Sequence, residues 1–190
     1  LERQAALTNG NTVLSEALAT LAAGGVPPMP IQDARTGIGD ALLGLAAALY
    51  EQRIAGQALV YARLAGYMMP EAGDTWLLLG RIALAQRNPE QAVESFGRVP
   101  ADSPFAWEAR LAKVDAQEDL ERIDAAVGEL RAMAEDRPQR IDALVALGDL
   151  LRQQERYAEA EAAYTRAIGR LPRIERGHWL GTSMGGAIGT

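Results

Sequence analysis

The chain has 190 residues, 48% hydrophobic, 23% charged and only 5% aromatic, a composition better suited to close helix packing than to a β-sheet. Its formal charge of −6 argues against a nucleic-acid binder, which needs a basic face to displace counterions from phosphates. With no cysteine, disulfides, thiolate chemistry and cysteine metal sites are excluded.

No apolar run approaches the roughly 18 residues of a spanning helix and no signal peptide is read, so no membrane insertion is expected. Lys113 is the only lysine among nineteen basic residues, an arginine bias read as the coding preference of a GC-rich bacterium. Because the first residue is Leu1, the chain is expected to be a piece of a longer one, with cytoplasm and periplasm both open.

Residues 1–38 are the least regular part. Val13, Leu14, Ala17, Leu18 and Leu21 follow helical spacing, and Gly24-Gly25 with Pro27-Pro28 is a stop signal. They predict one N-terminal cap helix from about Thr12 to Ala23, with Gly25 to Gly37 as a loop.

A repeat begins at Gly39. Pro70, Pro104, Pro138 and Pro172 stand 34 residues apart, and Ala58, Ala92, Ala126 and Ala160 form a second series with the same spacing. Two agreeing series define four units, 39–72, 73–106, 107–140 and 141–174. A small residue in the alanine column lets a second helix approach the first closely, so the spacing has a packing reason.

The first unit carries Leu42, Leu45, Ala46, Leu49 and Ala58, with Ala62 where the second and fourth place a large ring. The second has Trp76, Leu79, Gly80, Ala92 and Phe96; Asn88-Pro89 predicts a helix cap and first-turn proline, and the run 99–104 a stop and the next cap. The third is the weakest, with Arg110, Lys113, Val114 and Gln117 at its first-helix positions, and looser packing is expected there. In the fourth, Leu144, Leu147, Gly148 and Leu151 mark one helix face and Ala160, Tyr164 and Ala167 a second. Residues 175–190, rich in glycine, cannot form a fifth unit and are read as a flexible tail, a truncated repeat or added sequence.

These residues and their period resemble the tetratricopeptide repeat (TPR), whose pattern is W-x-x-L-G-x-x-Y, A-x-x-x-F, P. The resemblance implies an all-α fold, a right-handed superhelical TPR solenoid of antiparallel helix pairs whose first helices line a groove. It also implies groove-facing residues at the second, fifth, ninth, twelfth and thirteenth positions of each unit. Carried onto this sequence, the second positions are Asp40, Asp74, Glu108 and Asp142, and the fifth are Leu43, Leu77, Leu111 and Val145. The ninth are Ala47, Arg81, Asp115 and Asp149; the last two columns hold Tyr50-Glu51, Leu84-Ala85, Glu118-Asp119 and Arg152-Gln153. These columns contain nine acids against two arginines, so the negative charge concentrates on the implied groove.

The expected partner is therefore a protein or peptide with apolar anchors and Arg or Lys neighbours, held in a groove built mainly from Asp40, Leu43, Tyr50, Asp74, Leu77, Arg81, Leu84, Glu108, Leu111, Asp115, Asp142, Val145, Asp149 and Arg152. Two plainer readings compete. First-turn acids favour any helix dipole, and the apolar column could serve packing alone. Leu43, Ala47, Leu78, Glu108 and Ala112 stand where one TPR subclass builds a cationic clamp for a C-terminal carboxylate, which argues against that role.

No catalytic, cofactor or metal role is expected. The single histidine, His178, precludes histidine dyads, and Gly181 to Gly186 lacks the lysine of a phosphate loop. Asp115, Glu118 and Asp119 share a helix face that reads as solvated rather than cation-binding, and Trp76, Trp107 and Trp179 read as packing residues. The expectation is a non-catalytic interaction scaffold. The alternative is a self-assembly module, dimerising through Tyr164, Ile168 and Leu171 on an uncapped last repeat.

Overall fold

The computed structural model describes residues 19–26 and 33–170, which contain no strand. A short helical segment, 19–22, precedes eight helices: α1 (Ala34–Glu51), α2 (Ala55–Met68), α3 (Gly73–Ala85), α4 (Pro89–Gly97), α5 (Ala106–Asp119), α6 (Ile123–Asp136), α7 (Asp142–Gln153) and α8 (Tyr157–Arg170). The N-terminal cap helix lies mostly outside the described residues, and the C-terminal tail entirely so. The chain forms two compact units, dividing within α6 between Glu129 and Leu130.

Helix α1 corrects the sequence reading. Residues 34–37, expected to end a loop, are already helical, because the Asp33 side chain accepts the Thr36 amide at 2.7 Å and caps the helix. Gly37 and Gly39 are tolerated inside it. Gly39 is buried beneath the Met69 side chain, which leaves no room for a Cβ.

In the first unit α1 pairs with α2, and α3 with α4, through small residues. Ala46, Ala58 and Ala62 are fully buried among Leu78, Leu79 and Ile82, so α1 and α2 meet almost backbone to backbone. The next hairpin reaches the same closeness differently: the Phe96 ring lies against the bare α-carbon of Gly80, where a methyl group would collide with it. Leu77, Ala83, Ala92, Phe96, Ala109 and Ala116 form a second core cluster. In the second unit the Tyr164 ring lies over Gly148 in the same way, with Leu144, Leu147, Leu150 and Leu151 buried along α7.

Asn88 caps α4 as expected, its side chain accepting the Gln91 amide, with Pro89 in the first turn. The stop before residue 104 also holds, since α4 ends at Gly97. Its role as a cap does not. The residue preceding α5 is Phe105, which gives no side-chain cap; Ser103 instead accepts the Phe105 amide and turns the chain into the helix.

In the third repeat the first helix, α5, is well buried. Ala106, Trp107, Ala109, Val114, Ala116 and Gln117 are buried on α5. Arg110 and Lys113, which looked misplaced, converge on the Glu129 carboxylate at 2.5 and 3.4 Å, so their charges are balanced where they are partly buried.

A third series with the 34-residue spacing emerges from the backbone. Arg53, Arg87, Glu121 and Glu155 adopt positive φ of 64°, 57°, 57° and 58°. The amide following each one donates to a carbonyl five residues back, Ile54 to Leu49, Asn88 to Ala83, Arg122 to Gln117 and Arg156 to Leu151, all within 2.8–2.9 Å. This is a Schellman turn, whose left-handed position usually belongs to glycine. Four charged side chains occupy it, so each turn carries backbone strain. Glu121→Gly is expected to raise stability by about 1 kcal/mol, because glycine removes that strain. A higher midpoint in chemical denaturation checks it.

Candidate partner-binding face

Within the first unit, α1 approaches α3 and α3 approaches α5, whereas α2 and α4 have no comparable approach. The three first helices therefore lie side by side. Asp74, Leu77, Arg81 and Leu84 recur at three- or four-residue spacing along one side of α3, while Trp76, Leu79 and Ala83 lie on another.

The apolar column differs from residue to residue. Leu43 and Leu111 are partly exposed, but Leu77 is only 4% exposed and belongs to the core between helices. Tyr50 and Leu84 are partly buried against the two core clusters. In the second unit Val145 is 39% exposed.

The acids also divide. Glu108 forms an ion pair with Arg81, joining α5 to α3. Asp74 accepts the Thr75 amide at 2.8 Å, and in the second unit Asp142 accepts the Ala143 amide while pairing with Arg140. Those two therefore serve their own helix starts, as the dipole reading anticipated. Asp149 accepts the Tyr164 hydroxyl at 2.7 Å, with Arg152 3.8 Å away. By contrast Asp40, Asp115, Glu118 and Asp119 form no hydrogen bond or ion pair through their side chains among the described residues.

Their electrostatics follow from that lack of compensation. Loss of water raises the Asp74 carboxyl above its ordinary value, with the Asp40 charge adding to the rise and the Thr75 amide opposing it. Desolvation and then the Asp119 charge raise Asp115; desolvation followed by Asp115 and Asp119 raises Glu118. Asp40 and Asp74 repel one another between α1 and α3, and Asp115, Glu118 and Asp119 do so along α5. Among the described residues no group of three or more acids is placed to hold a metal ion. His178, Trp179 and the Gly181–Gly186 segment lie outside the described residues. Glu129 is a partner that sequence spacing hides, since Arg110 and Lys113 are 19 and 16 residues away from it.

The architecture defines a class, an all-helical array of hairpins repeating every 34 residues. The tetratricopeptide-repeat sequence profile matches residues 77–141 and 111–173, together 97 of the 190 residues, and the chain belongs to that family. Members of the family are interaction scaffolds and generally not enzymes. No curated protein sequence matches the chain.

Solved structures share the fold. A MamA crystal structure aligns with a TM-score of 0.61 at 14% identity, covering 70% of this chain and 72% of that one. MamA from residue 41 to its end, from Desulfovibrio magneticus RS-1, aligns at 0.60 and 14% identity over 85% and 96%. YrrB, described as a TPR protein with an unusual peptide-binding site, aligns at 0.58 and 21% identity over 74% and 71%. No helix among the described residues is long and apolar enough to cross a membrane.

Asp115 is protonated more readily in the folded chain than in the unfolded one. Its contribution to stability is thus fully present below 3.8, the ordinary value, and is lost as pH rises through the raised one. Asp115→Asn is expected to raise Tm near neutral pH, with the gain shrinking as pH falls from the raised value to the ordinary one and absent below it. Thermal melts across that range check it.

Proposed function

We propose that the face of α1, α3 and α5 binds an extended or helical segment of a partner protein carrying apolar anchors beside Arg or Lys. The reading rests on Asp40 on α1 and Asp115 and Glu118 on α5, acids without compensating cations on the two first helices that flank α3. A desolvated carboxylate raised by like charges gains most from an incoming cation, and the summed field steers a basic segment toward the face. Leu43 and Leu111 offer the apolar contacts, and Leu77 is the floor that holds the helices in place. In the second unit Val145, Asp149 and Arg152 hold the corresponding repeat positions. A peptide-binding relative of the same fold supports this reading without identifying the ligand.

Pull-down of partners from a cell extract, followed by affinity measurement on the captured segment, tests it. Replacing Asp40, Asp115 and Glu118 together by Asn, Asn and Gln is expected to weaken binding about tenfold and flatten its salt dependence. Glu90→Gln, on an exposed part of α4, leaves it unchanged. Full affinity in the triple variant refutes the acidic face.

A second reading, self-association, has its own observation. Ile168 on α8 is 68% exposed, apolar surface that a second copy could cover. Tyr164 does not join it as a free face, because its ring covers Gly148 and its hydroxyl is bound to Asp149; Leu171 lies outside the described residues. On this reading the chain is a concentration-dependent dimer by light scattering and Ile168→Glu is a monomer. A wild-type chain that stays monomeric at every concentration removes it.

A further inference from the structure

A cleft of about 420 Å³ opens in the first unit between α2 and α4, on the side of α3 that carries Trp76 and away from Asp74 and Arg81. That volume lies within the range of small binding pockets. Leu59, Leu79 and Trp76 give it an apolar floor, and Gly66 and Ser95 keep its walls low. The Trp76 ring is fixed by its Nε1–H, which donates to the Pro70 carbonyl at 2.6 Å, and by the Arg98 guanidinium 4.7 Å from the ring centroid. Arg98 also donates to Glu94 at 2.8 Å, so the two charges at that wall balance.

Arg63 on the opposite wall has no such balance. It is exposed and forms no ion pair or hydrogen bond through its side chain among the described residues. Tyr67 stands 75% exposed at the rim. A free guanidinium beside a flat apolar floor with aromatic edges matches a ligand having a carboxylate next to a ring. Such chemistry is the reverse of that expected on the acidic face.

We propose that this cleft is a second docking site, which takes a partner protein segment presenting an aromatic side chain beside a carboxylate. The ring rests on Leu59, Leu79 and Trp76, and the carboxylate meets Arg63. The proposal does not depend on the acidic face; either can fail without the other.

The test is an NMR titration of the ¹⁵N-labelled chain with a capped tetrapeptide of sequence Ala-Glu-Phe-Ala, read at the Trp76 indole N–H and assigned with Trp76→Phe. A saturable shift is expected. Arg63→Glu weakens binding about fivefold, and so does the peptide Ala-Lys-Phe-Ala on the unaltered chain. Combining Arg63→Glu with the lysine peptide restores affinity, a rescue that loss of folding cannot produce. Tyr67→Ala, changing only an exposed side chain, also weakens binding. Absence of a saturable shift, or a shift indifferent to both charge reversals, overturns the proposal. Equal affinity for N-acetylphenylalanine overturns the assignment to a protein segment and makes the cleft a site for a free aromatic acid.

Discussion

The structure depends on how closely the two helices of each hairpin can approach. Ala58, Ala92 and Ala126 are fully buried and Ala160 nearly so, and none could grow without pushing its helix away. Opposite this column the packing is solved in pairs. Ala46 and Ala62 are both small, whereas Gly80 gives up its side chain to Phe96 and Gly148 to Tyr164. The residue pair differs from hairpin to hairpin while the close contact is kept. A hairpin built this way still has one apolar face uncovered, which is why a single unit cannot stand alone and the next must stack on it.

Close approach also determines the turns. Each first helix must reverse direction within three or four residues, and the backbone does so through a left-handed residue that satisfies the last helical carbonyls. Arg53, Arg87, Glu121 and Glu155 accept that strain because their side chains point into water and the carbonyls they serve are otherwise left unbonded. Charged residues keep each of these turns polar.

The period and helix pairing were legible because they rest on residues with few alternatives: prolines that close a unit and alanines that permit contact. The left-handed turn column was not, since arginine and glutamate carry no signal for positive φ. The start of α1 was hidden by Gly37 and Gly39, which look like breakers until Met69 is seen above the second of them. Arg110 and Lys113 looked like packing faults because their shared partner, Glu129, comes from the next helix. For the face of the first helices, the columns put acids on α1, α3 and α5. They could not separate Asp40 and Asp115, which have no cation, from Glu108, which Arg81 neutralises. Nor could they measure the depth of Leu77.

One helix, α3, shows how the repeat keeps these demands apart. Its Asp74 and Arg81 side chains face one way and Trp76 and Leu79 another, while Gly80 and Ala83 hold the contact with α4. A Cβ on Gly80 would strike the Phe96 ring, so that position controls helix spacing. Gly66 differs: a Cβ there would meet Thr75 and Leu79 at 3.5 and 3.7 Å, ordinary contact distances. The cleft above Trp76 is therefore not a by-product of the spacing that the fold requires. Its shape can vary through Gly66 and Ser95 while the hairpins remain packed, and the charges on the other side of α3 can vary without disturbing either. Side chains that touch different neighbours on a rigid helix couple weakly, so the two sides of α3 can vary independently.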